Sequence, residues 1–142
     1  MSDILDRVAV AGNSVILLIG RLLMSAIFLQ AGFRKLTNLD NTTKYMADHH
    51  LPAAFYFAVL AGLVEFFGSL FVLLGFKTRY AALLMALFTL AAAFIGHPFW
   101  ALPADQVANQ TIHFWKDITI IGGFLILFVA GPGALSIDRP AK

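Results

Sequence analysis

Two ionisable residues lie inside long apolar stretches of the chain. Arg21 falls within the stretch 14–33, and Glu65 lies near the middle of the stretch 53–75. An ionisable side chain at mid-membrane depth costs roughly 2.5–3.5 kcal/mol on insertion scales and faces the interior of a bundle by default. Because an arginine fork matches a carboxylate, we expect Arg21 and Glu65 to form a buried polar pair.

Two interpretations of this expected pair remain open. A buried ion pair can fix the register of two helices without taking part in chemistry. Alternatively, paired charges inside a membrane mark a relay site for protons or substrate. Gly62, Gly68 and Ser69 lie on the same helical face as Glu65, and such small residues let helices approach closely.

A second polar cluster is predicted near the start of the last apolar stretch. His113, Lys116 and Asp117 follow the spacing i, i+3 and i+4, which places them along one helical stripe. His97 ends the third apolar stretch at the same level. These four residues form a candidate ligand site, because a carboxylate gains nothing by facing lipid. The alternative is interfacial anchoring, in which Lys116 extends its ammonium group to the membrane surface.

Arg34 and Lys35 end the first apolar stretch and are weaker candidates for the same site. Their alternative role is to bind lipid phosphates. His97, His113 and Asp117 offer donors that suit a divalent transition metal. However, a His and an Asp four residues apart are common on helices, so we predict neither a metal site nor a haem.

The composition indicates the environment of the chain. Hydrophobic residues make up 60% and charged residues 13% of 142 residues, with a mean hydropathy of +0.82. Soluble domains are about 45–50% apolar and about 25% charged. A small soluble domain cannot hide this apolar surface, which excludes an ordinary soluble enzyme, a disordered protein and a nucleic-acid-binding module. The chain has no cysteine, which excludes disulfides, thiolate chemistry and thiolate-held clusters.

Four stretches are long enough to cross a membrane, which takes about 20 helical residues. They are 14–33, 53–75, 80–96 and 111–130. Unpaired backbone groups in lipid cost several kcal/mol each, so all four are expected to be helices. The predicted fold is therefore all-α, an integral membrane four-helix bundle in a single domain over residues 1–142.

The connections between these stretches are expected to differ in structure. In the segment 37–52, Asp40 marks a helix start and a short amphipathic turn follows it. The segment 97–110 carries Pro98 and Pro103 and is expected to be irregular.

Basic residues predict the orientation of the bundle. With four spans, both termini lie on one side of the membrane. The basic residues on that side are Arg7, Lys77, Arg79, Arg139 and Lys142. Those on the opposite side are Arg34, Lys35 and Lys44. The positive-inside rule therefore favours cytoplasmic termini.

Several short motifs occur in a characteristic order along the chain. They include Gly20-Arg21-Leu22-Leu23, Ala31-Gly32-Phe33-Arg34-Lys35-Leu36, Glu65–Gly75, His113-Phe114-Trp115-Lys116-Asp117 and Gly131-Pro132-Gly133. Through these motifs the segment from Gly20 to Asp138 resembles the DoxX family of small four-helix membrane proteins. The family commonly carries Asn at the position of Asp117, so this chain adds an ionisable group beside Lys116.

This resemblance implies a multi-pass protein of the bacterial inner membrane and a quinone-linked function. The family name comes from a subunit associated with quinol oxidase and thiosulfate:quinone oxidoreductase systems. The resemblance therefore implies a redox-associated subunit that acts in quinone-linked chemistry; the cofactor is left open, with a quinone as the candidate. His97, His113, Lys116 and Asp117 are the candidate quinone site, since quinone carbonyls need hydrogen-bond donors. Electrons would come from a partner subunit or a bound cofactor.

Two alternatives to the quinone-linked function remain open. The polar cluster can serve only to lock helices in a non-catalytic scaffold or assembly partner. Charges at the bundle centre also mark ion pathways, as in a small proton-coupled transporter. The expected partners are the lipid bilayer, a redox subunit and a second copy packed through small-residue faces, but not nucleic acid. No catalytic residue is assigned, and the sequence leaves enzymatic activity undecided.

Overall fold

The computed structural model describes residues 3–138. In this part of the chain the elements are α1 (Ile4–Ala11), α2 (Asn13–Thr37), α3 (Leu39–Asp48), α4 (Ala54–Leu74), α5 (Thr78–Gly96), a 3₁₀ helix (Phe99–Ala101) and α6 (Ala104–Ala130). Arg139 and Lys142, which enter the orientation prediction, lie outside the described residues.

Four helical segments are long and apolar enough to cross a membrane. They are Asn13–Thr37, Ala54–Leu74, Thr78–Ala101 and Ala104–Ala130. Between 17% and 39% of each hydrophobic window is buried inside the protein, so most of its side chains are at least partly exposed. Such outward apolar surface is stable only in lipid. The predicted all-α membrane four-helix bundle is confirmed.

The ends of two spans differ from the prediction. Helix α2 continues to Thr37, beyond the expected end at Phe33, and α6 begins at Ala104 rather than at Thr111. The segment 97–110 was expected to be irregular, and this is wrong for residues 104–110, which belong to α6, whereas residues 97–103 contain only the short 3₁₀ helix. Pro103 lies immediately before α6, where its missing N–H group costs no hydrogen bond. The short helix expected in the first loop is confirmed as α3.

The bundle consists of two helical pairs. Helix α2 packs mainly against α4, and α5 packs mainly against α6, while α3 lies on α4. A core joins the two pairs and includes Phe28, Val72, Met85, Phe124 and Leu127. We call the end that carries α3 and the 3₁₀ helix the loop end, and the opposite end, with the α4–α5 turn, the termini end.

Two glycines bring α2 and α4 close together. A Cβ atom at Gly32 would lie 2.5 Å from the backbone nitrogen of Phe66, and one at Gly62 would lie 2.8 Å from the side chain of Leu36. Carbon atoms do not approach other atoms this closely, so a larger residue at either position must separate the helices. The small-residue face expected around Glu65 is thus in contact with α2.

Arg21 and Glu65 are both buried, but they do not pair. Arg21 is 1% exposed and donates hydrogen bonds to the carbonyl oxygens of Leu73, at 3.0 Å, and Leu135. The expected Arg21–Glu65 pair is wrong because the antiparallel register places Glu65 opposite Lys35. Arg21 and Lys35 are separated along α2 by about 21 Å, at 1.5 Å per residue.

The segment after α6 folds back over the α4–α5 turn. The backbone N–H of Ile137 donates to the carbonyl of Leu74 at 3.1 Å. The N–H of Asp138 donates to the carbonyl of Gly75 at 2.7 Å. Gly75 has a φ of +65°, which disfavours residues with a side chain. The C-terminal segment therefore covers the turn that connects the two helical pairs.

Asp138 caps the start of α5 from a distant part of the chain. Its carboxylate accepts hydrogen bonds from the backbone N–H groups of Lys77 and Thr78, both at 2.8 Å, and from the Thr78 hydroxyl at 3.0 Å. The free N–H groups at a helix start favour a carboxylate. Partial burial alone would raise the pKa of Asp138, but these hydrogen bonds outweigh burial and lower it below its ordinary value.

Replacing Asp138 with Asn tests this cap. We expect Asp138→Asn to lower the free energy of unfolding by about 1 kcal/mol near neutral pH, since Asp138 is partly exposed. Because the pKa is lower in the folded state, this stabilisation is present above the ordinary carboxyl pKa of about 3.9 and is lost as the pH falls below it. Thermal unfolding in lipid nanodiscs should therefore show the two proteins converging at acidic pH. The exposed Asp48→Asn is the control, and an undiminished difference at acidic pH contradicts the role of the charge.

Candidate functional site

A cavity of about 440 Å³ lies between the two helical pairs toward the loop end. Its volume is in the range of small-molecule sites, about 300–1,000 Å³. Most of its lining is apolar. The polar or ionisable residues that line it are Lys35, Tyr45, Glu65, Thr89, His97, Lys116 and Asp117. A mostly apolar cavity with a few converging polar groups is typical of a ligand site.

The α2–α4 wall of the cavity carries an ion pair. The Nζ atom of Lys35 lies 2.6 Å from Oε2 of Glu65, and the two side chains are 26% and 8% exposed. Lys35 is therefore bound to a carboxylate, and its alternative role as a lipid-phosphate anchor stays a prediction. Gly62 permits this contact because it leaves room for the stem of Lys35. Arg34 is exposed and does not line the cavity, and its anchoring role stays a prediction.

The four residues of the predicted cluster lie together at α5 and α6, and three of them, His97, Lys116 and Asp117, line the α5–α6 wall of the cavity, whereas His113 does not line it. The Nε2 atom of His97 lies 3.7 Å from Oδ2 of Asp117, and its Nδ1 lies 2.6 Å from Oε1 of Gln110. The His97 ring stacks on the His113 ring, with centroids 5.1 Å apart. The ammonium group of Lys116 donates to Nδ1 of His113 at 3.0 Å, which leaves the ring proton of a neutral His113 on Nε2.

Paired charges make the cavity close to neutral. Lys35 stands with Glu65 on one wall, and Lys116 and His97 stand near Asp117 on the other. A lysine ammonium carries three N–H donors, so each lysine keeps donors beyond the hydrogen bond described for it. An added anion or cation would meet like charge on both walls. The arrangement suits an uncharged ligand that accepts hydrogen bonds.

Within residues 3–138, no group of three or more His, Asp or Glu side chains is arranged to hold a metal ion. His97 and His113 stack face to face, so their ring nitrogens do not converge on one point. The three donors considered for a transition metal thus lie together without forming a coordination site.

Helix α3 covers the loop end of the cavity. Tyr45 and Met46 line the cavity from this helix, and a Cβ atom at Gly96 would lie 3.1 Å from the Tyr45 hydroxyl. Burial, and then the carboxylate of Asp117, raise the pKa of Tyr45 above its ordinary value. In the sequence, Tyr45 belongs to the amphipathic turn predicted after Asp40. No sequence pattern indicates that its side chain contacts α5.

The Lys35–Glu65 pair can be tested by a double substitution. We expect Lys35→Met to destabilise the protein by about 2 kcal/mol, because it leaves Glu65 buried without a partner while Lys35 is itself partly exposed. The double variant Lys35→Met with Glu65→Leu should recover most of this loss, as measured by thermal unfolding in nanodiscs. Arg34→Met, one residue away and exposed, should change little. A double variant less stable than Lys35→Met would argue against the pair.

Comparison with known proteins places the chain in a family. The family model of DoxX matches residues 16–98. The inner membrane protein YphA of Escherichia coli is 40% identical over 129 residues, which cover 91% of this chain and 92% of that protein. The inner membrane protein YqjF of the same organism is 42% identical over 122 residues, covering 86% and 88%.

No solved structure matches the chain. The family match includes α2, α3, α4 and α5, and the relatives align over most of both chains. With its four spanning helices, the chain is a multi-pass inner-membrane protein and belongs to the DoxX family.

Proposed function

We propose that this protein is a quinone-linked membrane subunit and that its cavity binds the headgroup of a quinone. The observation that supports this proposal is the composition of the cavity lining. Most of the lining is apolar, and hydrogen-bond donors stand on opposite walls. A benzoquinone ring is flat, apolar and uncharged, and its two carbonyl oxygens lie on opposite sides. Lys35 and Lys116 stand on opposite walls, so one ring can accept a hydrogen bond from each.

The charge balance of the cavity supports a neutral headgroup. Glu65 and Asp117 offset the ammonium groups of Lys35 and Lys116, so the cavity has no excess charge to attract an ion. Both carboxylates are largely removed from solvent, with side chains 8% and 17% exposed. Electrostatic interactions strengthen in such surroundings. Hydrogen bonds from the lysines to carbonyl oxygens would gain from these surroundings on the buried side of the cavity.

The same groups suit the proton chemistry of a quinone. Reduction of a quinone to a quinol takes up two electrons and two protons, one proton at each oxygen. Lys116 and the imidazole of His97 line the cavity near Asp117 and can exchange protons with a bound headgroup. The chain has no cysteine thiols to donate electrons, so the proposal assigns electron supply to a redox partner subunit.

A structural role is the second candidate, and one observation favours it. The Lys35–Glu65 pair joins α2 to α4, and the His97–Gln110 hydrogen bond joins α5 to α6. Each contact therefore links helices of one pair, as expected if the polar residues only lock helices together. A scaffold of this kind would fold through the same contacts but would bind no quinone.

Direct binding separates the two candidates. We expect the protein in nanodiscs to bind a decyl-substituted dimethoxybenzoquinone, with saturable quenching of tryptophan fluorescence. Lys116→Met should weaken binding about tenfold, because it removes one hydrogen bond from a charged donor. A tenfold change in affinity corresponds to about 1.4 kcal/mol. Arg34→Met removes an exposed cation outside the cavity and should leave the affinity unchanged. Absence of saturable binding by a folded wild-type protein contradicts the proposal and favours the scaffold.

We also propose that both termini are cytoplasmic, which places the cavity in the outer half of the membrane. Because the chain has no cysteine, single alanine-to-cysteine variants can report its orientation. Ala47→Cys, exposed on α3, should react with a membrane-impermeant maleimide in intact spheroplasts. Ala9→Cys, exposed on α1, should react only after the membrane is opened. The reverse labelling pattern contradicts this orientation.

A further inference from the structure

Apart from Glu65 on α4 and Thr89 on α5, one side of the cavity is lined by apolar residues of α4 and α5. On α4 these residues are Phe57, Leu60, Ala61 and Val64, and on α5 they are Leu84, Phe88, Ala91, Ala92 and Ile95. Along each helix these residues recur every three or four positions, with one adjacent pair in each set, so they lie along one side of the helix. The two faces lie on opposite sides of one groove between the helices.

This groove reaches the lipid-facing surface of the bundle. Leu60, Leu84 and Ile95 line the cavity and are also 55%, 48% and 38% exposed. All three lie inside membrane-spanning segments, so their exposed surface faces acyl chains. Toward the termini end the groove is closed, because a Cβ atom at Gly68 would lie 2.6 Å from the sulfur of the fully buried Met85.

Three of the ionisable groups line the cavity from helices other than α4 and α5. These are Lys35 on α2 and Lys116 and Asp117 on α6, whereas Glu65 lines the cavity from α4. Toward water, α3 covers the loop end and its Tyr45 contacts α5 at Gly96. The exposed part of the lining on α4 and α5 is apolar, and the cavity opens toward lipid between these two helices.

We infer that the groove between α4 and α5 is a lateral window that admits the long apolar tail of a membrane-dissolved amphiphile. This inference rests on the proposed quinone site and adds its ligand class: a quinone that carries an alkyl or polyprenyl tail and enters from the bilayer. The headgroup lies against the lysines, and the tail leaves through the window. Ala91 and Ala92 provide the space for it, since larger side chains would fill the groove.

The tail gains affinity through packing rather than through removal from water. In the bilayer it is already in an apolar solvent, so only close contact with the groove favours the bound state. Filling the groove should therefore weaken binding of a long-tailed quinone and leave its bare headgroup unaffected. This difference distinguishes a window from a general defect in the site.

Two probes and three variants test the window in the full-length protein in nanodiscs. The probes are a decyl-substituted dimethoxybenzoquinone and the same headgroup with only a methyl substituent. Ala92→Phe fills the groove, and Ala91→Phe does so at its exposed edge, in case the first variant does not fold. Ala26→Phe places the same side chain on the exposed surface of α2, away from the cavity. Affinities are expressed relative to wild type, so that partitioning of the probes into lipid cancels.

We expect Ala92→Phe or Ala91→Phe to weaken binding of the decyl probe about tenfold, equivalent to about 1.4 kcal/mol. Binding of the methyl probe should stay within about twofold, and Ala26→Phe should change neither affinity. If the decyl probe binds both groove variants as it binds wild type, the window is wrong and the headgroup site stands. An equal loss for both probes also overturns the window. If wild type binds neither probe, the proposed function and the window fail together.

Discussion

The contact between α2 and α4 at Gly32 and Gly62 determines which charges can meet. In lipid, each charged side chain needs a partner within the bundle, and the register of the helices decides which partner is in reach. The two glycines set a register in which Lys35 lies opposite Glu65. Arg21 then lies at the far end of α4, where only the carbonyl oxygens of α4 and the C-terminal segment are available.

The two ends of the bundle satisfy their charges in different ways. At the termini end, Arg21 and Arg79 donate to backbone carbonyls, and Asp138 accepts from backbone N–H groups. Backbone partners are fixed in place by the helices, so this end is held rigidly. At the loop end, Lys35 and Lys116 bond to other side chains and keep donors free. Side-chain partners can reorient toward a ligand more readily than backbone carbonyls can.

Local features of the sequence were sufficient to predict the spans and one polar wall. Hydropathy predicted the four helices, and the free-energy cost of a charged group in lipid predicted that Arg21 and Glu65 are buried. Helical spacing brought His113, Lys116 and Asp117 together, because these residues share one element. The partner of Glu65 could not be found in this way, since it depends on the register between two helices.

Long-range contacts were likewise outside the reach of sequence patterns. Asp138 caps α5 from about 60 residues away, and no local motif links an aspartate after one helix to the start of another. Tyr45 reaches the cavity only because α3 folds over α4 and approaches Gly96. Both contacts depend on how the helices and the C-terminal segment pack against one another. The composition of each segment does not determine this packing.

Asp117 gives the cavity of this chain its charge balance. An amide at this position would leave His97 and Lys116 without a carboxylate on their wall. Here the Asp117 carboxylate lies 3.7 Å from Nε2 of His97. Since Lys35 is paired with Glu65 on the α2–α4 wall, each wall carries a carboxylate beside its cations, and this balance is the basis for proposing an uncharged ligand.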